Sequence, residues 1–488
     1  MTDMTALTLA RAIREGKLSA PEALHEILLR KEETEEWLGA YLATDPEGAM
    51  RRAKQVQTRI DRGEATSPLA GVPIAIKDNI CTDQMRTTCA SRMLADYIPP
   101  YSATAVQKLN ENDLILYGKL NMDEFAMGST TETSYFGVTV NPWDRSRVPG
   151  GSSGGAAAAV AAGSAICTLG SDTGGSIRQP ASHCGVTGFK PTYGTVSRYG
   201  LIAHASSLEQ IGPIARDVAD CAALMDVIRG KDVHDSTSRE TAKESYLSAL
   251  TVGVKGMRIG IVQEALKGNI SPDVVDRILE IAHVLEKMGA SVEKINIPLM
   301  GRAVATYYII ATAEAASNLS RYDGIKYGHR AAGDLSLSEV YTRSRSEGFG
   351  NEVKRRIMLG NFVLSAGYYD AYYRRALDAK TAITSCFGRL FERYDLLLMP
   401  TAPTTAPHLG DCLGDAMERY NADCYTVPAS LAGLPALTLP CGFGADGMPI
   451  GAQLIGPAFA DARLLTAGYA YQQETDYHIK RPGEVSTP

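Results

Sequence analysis

Apolar residues change their period repeatedly along the 488-residue chain, and each change marks a boundary between helix and strand. Leu24, Ile27 and Leu28 recur at helical spacing behind Ser19-Ala20-Pro21-Glu22, a Ser-x-x-Glu box that predicts a capped helix start. A second helix is expected over 46–60. The apolar run 69–76 then predicts a buried strand, and 103–109 followed by 114–117 predicts a helix and another strand. Further on, 257–262, 272–288 and 290–295 read as the strand, amphipathic helix and returning strand of a βαβ unit, with Val274, Ile278, Ile281 and Leu285 along the apolar stripe. Residues 394–399, closed by Pro400, and 434–440 read as short buried strands. This alternation predicts an α/β protein.

One apparent motif dissolves in this pattern. Gly442-Phe443-Gly444-Ala445-Asp446-Gly447 satisfies G-x-G-x-x-G, but 448–456 continues as a strand where a dinucleotide site needs a helix. Ala445-Asp446-Gly447 is therefore expected to be a hairpin turn. No phosphate-binding G-x-x-x-x-G-K-[ST] occurs.

Composition narrows the function. Lys and Arg total 49 against 55 Asp and Glu, a net charge of −6, and no arginine-rich block or basic tail appears. The chain lacks the electrostatic footprint of an independent nucleic-acid binder. Nine scattered cysteines, odd in number and never spaced C-x-x-C, suggest a reducing compartment with no zinc site and no disulfide framework. Residues 1–5 show no basic region leading into an apolar core, so no signal peptide is expected and a cytoplasmic location is. The weakly polar run 156–169 is too short to cross a bilayer and reads as a buried, alanine-rich helix. The charged stretch 231–244 is the best linker or surface-loop candidate.

Candidate chemistry concentrates between Pro149 and Ala181. Gly150-Gly151-Ser152-Ser153-Gly154-Gly155 and Ser171-Asp172-Thr173-Gly174-Gly175-Ser176 put six glycines around four serines. Glycine costs conformational entropy, so such a cluster points to backbone N–H groups that approach a ligand closely, as an oxyanion requires. The N-terminal N–H groups of the helix expected over 156–163 should face Ser152 and favour negative charge there. Upstream, the apolar run into Ile76 ends on a lone lysine, Lys77. A serine hydroxyl is a weak nucleophile until a neighbour takes its proton, and a lysine held neutral by burial can do so. Gly150–Gly154 also fits the G-x-S-x-G of a hydrolase elbow, but that turn needs a strand directly before its serine. Residues 141–149 carry two prolines and little apolar character instead.

Ser152 follows Lys77 by 75 positions (152 − 77) and Ser176 follows by another 24 (176 − 152), which resembles the Ser-cisSer-Lys triad of the amidase signature family. The resemblance spans nearly the whole chain and implies a single large α/β domain with a mixed sheet covered by helices on both faces. Within it, 1–65 would form an N-terminal helical segment, 66–220 the catalytic core and 221–488 the remainder with the substrate pocket. Segments 118–129, 322–328, 354–360 and 365–373 bring the likeness closest to the glutaminase branch of tRNA-dependent amidotransferases. That likeness implies an enzyme that hydrolyses glutamine and feeds ammonia to a partner, where glutamate on misacylated tRNA(Gln), activated with ATP, becomes glutamine. Some such enzymes treat Asp-tRNA(Asn) similarly. Two partner subunits, of B and C type, are implied, with ATP and Mg²⁺ used by the partner, tRNA held mainly there, no cofactor or metal in this chain and no membrane. A stand-alone amidase acting on a small amide is the alternative.

By the same resemblance, Ser176 looks like the acylated nucleophile, Ser152 the relay and Lys77 the base. The N–H groups of Thr173, Gly174, Gly175 and Ser176 look like the oxyanion hole. Arg356 resembles the residue that binds the glutamine α-carboxylate, Asp423 the one that binds its α-ammonium, and Tyr307 and Ser129 residues that line the pocket. The chain departs from the family's usual pattern at His183 and His204, where phenylalanine is common, and at Glu209, where aspartate is common; packing or hydrogen bonding is expected of the two histidines.

Overall fold

The computed structural model describes residues 4–241, 244–250, 253–412, 420 and 422–483. Its first long helix, Ala20–Leu38, starts at the expected box. Ser19 N–H donates to the Glu22 carboxylate at 2.7 Å, and the Ser19 hydroxyl accepts from Glu22 N–H. The helix expected over 46–60 forms as Pro46–Asp61.

Among the described residues, eleven strands join one mixed sheet: β1 (Tyr41–Thr44), β2 (Pro73–Lys77), β3 (Ile115–Leu120), β4 (Cys167–Asp172), β5 (Thr187–Lys190), β6 (Gln210–Ala215), β7 (Arg258–Val262), β8 (Ser291–Ile295), β9 (Leu396–Pro400), β10 (Ala436–Phe443) and β11 (Pro449–Ile455). Their order is β1-β3-β2-β4-β6-β5-β10-β11-β9-β7-β8. β2 pairs in parallel with both β3 and β4, and β7 with both β8 and β9, while the centre from β4 to β9 is antiparallel.

Both faces of the interior strands are buried, and β9 shows why its sequence reads as a continuous apolar run. Successive side chains on a strand point to opposite faces. Leu396 and Leu398 pack with Ile278 and Ile281 of the helix Pro272–Lys287, whereas Leu397 and Met399 pack with Ile310, Ala311, Ile383 and Phe387 of the helices Ala303–Asn318 and Arg375–Phe391. A strand covered on both sides has no polar face to alternate.

Two expectations need correction. The strand expected from 69, β2, begins at Pro73 because Gly71 turns the chain with φ +88° and Val72 N–H closes a turn on Leu69 O. β9 runs Leu396–Pro400 and so starts after the expected Tyr394, whose N–H still donates to Leu390 O at 2.9 Å at the end of the preceding helix. Of the two readings offered for 231–244, the structure has a surface loop and not a linker where described. Asp232 accepts from Thr104 and Ser197 hydroxyls at 2.5 and 2.6 Å, and Asp235 accepts from Arg198 N–H at 2.8 Å, which ties the loop to the body. The expected hairpin at Ala445–Gly447 joins antiparallel β10 and β11, with Gly447 N–H donating to Gly444 O at 2.9 Å. Among the described residues no helix is long and apolar enough to cross a membrane.

Candidate active site

Lys77 is the last residue of β2, and the loop Thr173–Ser176 leaves the end of the neighbouring parallel strand β4. Carboxyl ends of adjacent parallel strands are where open α/β sheets gather ligands. Lys77 is completely buried; its Nζ lies 2.7 Å from Ser152 Oγ and donates to Ser171 O at 3.2 Å. Burial pulls its ammonium down to about 7, against the opposing charges of Asp123 and Asp172. An amine near that value spends much of its time neutral at physiological pH, with a lone pair for the Ser152 hydroxyl.

Ser152 sits in a frame of backbone bonds. Its carbonyl accepts from Asp123 N–H at 3.2 Å, the Gly151–Ser152 peptide is cis, and Gly151 N–H donates to Gln179 Oε1 at 2.9 Å. Ser153 donates from its N–H to Ser176 O at 3.0 Å and from its hydroxyl to Ser171 O at 3.1 Å, binding the two glycine-serine segments together. The helix after the cluster starts at Gly154, two residues before the expected 156, and runs to Ala162. Its leading N–H groups do not face Ser152 as expected: Gly154 donates to Thr131 Oγ1 and Gly155 to Asn121 O, both at 3.2 Å. The helix terminus is thus spent on holding the loop. As the sequence suggested, no strand precedes Ser152.

The open donors lie on the other loop. Among the described residues, no hydrogen bond engages the N–H groups of Thr173, Gly174, Gly175 or Ser176, or the Ser176 hydroxyl. The segment is locked from behind. Thr426 Oγ1 donates to Gly174 O at 2.5 Å, and a Cβ on Gly175, whose φ is +150°, would sit 2.3 Å from that same hydroxyl. A Cβ on Gly174 would meet the Tyr307 ring at 2.7 Å, so only glycine lets this loop turn its N–H groups outward.

The anchor is a buried pair that the sequence analysis did not single out. Arg178 gives Asp172 two hydrogen bonds, at 2.8 and 2.9 Å, and donates to Thr426 O, Ser430 Oγ and Gln453 Oε1 at 2.8, 2.8 and 2.6 Å. Burial pushes the Asp172 carboxyl up, but the Arg178 charge and hydrogen bonds more than offset it and hold it low. Removing one partner leaves a bare buried charge, which typically costs about 3–5 kcal/mol. Arg178→Met should therefore lower the thermal unfolding midpoint sharply, and Arg178→Met with Asp172→Leu should recover part of the loss. Equal midpoints in the single and double variants would rule out the charge as the cause.

The second half of the site comes from two crossed helices. In Asn351–Leu364, Gly360 lets the backbone approach Ala303–Asn318; a Cβ there would stand 2.0 Å from Thr312 O. This crossing buries Arg356, whose guanidinium lies 5.2 Å from the Tyr308 ring centroid. Its Nε donates to Glu352 at 2.8 Å, and no hydrogen bond among the described residues engages its two Nη groups. Asp423 Oδ2 accepts from the Tyr308 hydroxyl at 2.9 Å, and burial raises the Asp423 carboxyl to about 7. Tyr307, the expected pocket residue, lies against Gly174, while its neighbour Tyr308 makes the contact with Asp423. Helix phase decides between adjacent tyrosines, and the sequence alone did not show it.

Ser129 is held by the Asp123 carboxylate, which accepts from the following N–H groups of Thr130 and Thr131 at 3.2 and 3.0 Å. It lines a cavity of about 480 Å³ with Gln179, His183, Asn269, Cys424 and Tyr425. His183 and His204 are buried, and among the described residues no side chain hydrogen-bonds either ring, the backbone of Thr404 giving His183 a weak contact. Burial pulls His183 down to about 4 and His204 well below its ordinary value, so both are neutral. Among the described residues, neither hydrogen-bonds Ser176. Glu209 accepts from His204 N–H at 3.0 Å, and burial raises it to about 7.

A buried lysine against a serine, and a second serine in a loop of four unspent N–H groups, are an arrangement that can carry out acyl transfer. Comparison with known proteins gives the family. The family described as Amidase matches residues 22–465. The chain belongs to the amidase family. It is 53% identical to the A-type subunit of glutamyl-tRNA(Gln) amidotransferase from Lachnospira eligens over 97% of this chain and 98% of the relative. It is also 53% identical to the corresponding protein of Moorella thermoacetica, covering 98% of each. The crystal structure of the Thermotoga maritima counterpart superimposes with a TM-score of 0.80 at 41% identity, over 99% of this chain and 97% of the other. This amidase shares its fold with that protein along nearly its entire length.

Proposed function

We propose that the chain is the glutaminase subunit of a tRNA-dependent amidotransferase, acting in the cytoplasm with B- and C-type partner subunits. The observation that carries the chemistry is Lys77 Nζ at 2.7 Å from Ser152 Oγ in a fully buried setting. Neutral Lys77 takes the Ser152 proton as Ser152 takes that of Ser176, and Ser176 Oγ attacks the side-chain amide carbon of glutamine. N–H groups of Thr173–Ser176 receive the oxyanion. The protons return along the relay to the leaving nitrogen, ammonia departs, and water hydrolyses the glutamyl ester to glutamate. Ser176 and Ser152 are not hydrogen-bonded at rest, so a side-chain rotation of Ser176 closes the relay when substrate binds; contacts of this kind commonly tighten only in the loaded enzyme.

The amino-acid end of glutamine is read by a matched pair. The open Nη groups of Arg356 suit its α-carboxylate and Asp423 suits its α-ammonium, while Tyr307 and Ser129 bound the pocket. Arg356→Ala should then raise KM for glutamine by about 100-fold, corresponding to ~2.7 kcal/mol, with a smaller change in kcat and none in ammonium-driven amidation. A kcat loss with KM unchanged would remove Arg356 from the pocket.

ATP and Mg²⁺ chemistry and most tRNA contact fall to the partners, consistent with a net charge of −6 and no phosphate-binding loop. The decisive experiment is co-expression with B- and C-type subunits from the same source, followed by an assay of glutamine-dependent amidation of Glu-tRNA(Gln). Amidation by the complex, with the isolated chain hydrolysing glutamine only weakly and retaining no tRNA across a salt series, is the expected result. Robust hydrolysis of simple amides without any partner would favour a stand-alone amidase.

A further inference from the structure

Seven of the 21 large apolar side chains exposed among the described residues fall within 358–377. Three of them, Phe362, Tyr368 and Tyr372, are in ring contact, and the others lie beside these along the chain. Met358, Leu359 and Phe362 lie on the outer face of Asn351–Leu364, opposite buried Val353, Arg356 and Gly360. The chain then turns back through a π-helical segment, Tyr369–Arg374, and stacks tyrosines on the same face: the Phe362 ring centroid is 4.2 Å from Tyr368 and 5.8 Å from Tyr372. π-helical turns are rare and concentrate at functional sites.

Size separates this patch from ordinary surface scatter. Met358, Leu359, Phe362, Tyr368, Tyr369 and Tyr372 are 42–72% exposed. At about 200 Å² for each fully open side chain, they present roughly 600 Å², against about 800 Å² that each partner contributes to a stable protein interface. Charge decides the class of partner. Arg374 is paired with Asp370 at 3.6 Å, Arg355 with Glu352, and exposed Arg375 stands with exposed Asp378, while half-buried Lys354 donates to Ser346 O, so the rim carries an excess of only one positive charge, far short of the basic stripe a phosphate backbone requires. Position decides which protein. The helix carries Arg356 on its inner face, so whatever covers the outer face backs the wall of the glutamine pocket, and ammonia leaving that pocket must be handed over without loss to solvent.

We propose that this face docks the ammonia-receiving subunit through an apolar surface of that subunit. This rests on the glutaminase-subunit reading above. The test places Phe362→Asp and Met358→Asp separately in the full chain, co-expressed with the B- and C-type subunits. Each should weaken assembly at least about tenfold by size-exclusion co-elution and titration, while the isolated chain keeps basal glutamine hydrolysis within about twofold. Should Phe362→Asp fail to fold, Met358→Asp, at a side chain 72% exposed, decides alone. Wild-type assembly by both variants overturns the docking site. So does a loss confined to tRNA retention, or to self-association of the isolated chain, with assembly intact. If the wild-type chain itself assembles with neither subunit, the glutaminase-subunit reading falls and the docking site with it.

Discussion

Ser176→Ala is expected to abolish glutamine hydrolysis, with turnover falling by about 10⁴–10⁶-fold, because the residues of a covalent relay act as a unit and no acyl-enzyme forms without the nucleophile. Covalent labelling by an electrophilic glutamine analogue should vanish with it. The loop around the substitution should survive: the Ser176 hydroxyl has no partner among the described residues, whereas its carbonyl, unaffected by the change, receives Ser153 N–H. The assembled complex should then amidate Glu-tRNA(Gln) normally when given ammonium, since only ammonia supply is lost. Persistence of the label on Ser153 or on a cysteine would refute the assignment. Among the cysteines, Cys424 is the nearest in sequence to Asp423, but burial pushes its thiol up to about 12, so it is a poor competing nucleophile.

How much of this was legible beforehand follows from where each partner lies in the chain. Lys77 announced itself because a lysine at the end of a fully apolar run has few structural uses, and the glycine-serine clusters are local. Arg178 stands just past the second of those clusters, yet its partners Thr426, Ser430 and Gln453 come from about 250 residues downstream, so nothing local told that it is the anchor of the oxyanion loop. β3 illustrates the same limit. The apolar run ends at Tyr117, but the strand continues to Leu120, because Lys119 is buried and paired with Asp78 at 3.4 Å, a contact that hydrophobic periodicity does not register. The helix after Ser153 is buried and alanine-rich as expected, but it stops at Ala162 with Gly163 in a left-handed turn, so 167–169, expected in the helix, belongs to β4, and its N-terminus does a different task from the expected one. Whether an N–H group faces a ligand depends on competing acceptors, here Thr131 and Asn121, that only the folded chain supplies. Local chemistry was therefore readable, and the supports that aim it were not.

Lys77→Ala should cut kcat by about 10²–10⁴-fold, the usual contribution of a positioned proton acceptor, and Lys77→Arg should not restore it, since a guanidinium stays protonated. The pH profile tests the same idea without mutation. Lys77 works only as the neutral amine, so the rate is low where the group is protonated and rises through about 7 to a plateau. The rise cannot be read from kcat/KM alone, because Asp423 also sits near 7 and must be ionised to meet the α-ammonium; both groups push kcat/KM upward over the same range. Bound glutamine separates them. Its ammonium holds Asp423 ionised in the complex, so kcat should report Lys77 by itself, with a single rising limb of unit slope, while kcat/KM rises more steeply. Asp423→Asn should flatten the extra slope in kcat/KM, raise KM, and leave the kcat limb where it was. A kcat that is independent of pH from 5 to 9 in the wild-type enzyme, or that falls as pH rises through 7, would show that the proton does not go to Lys77.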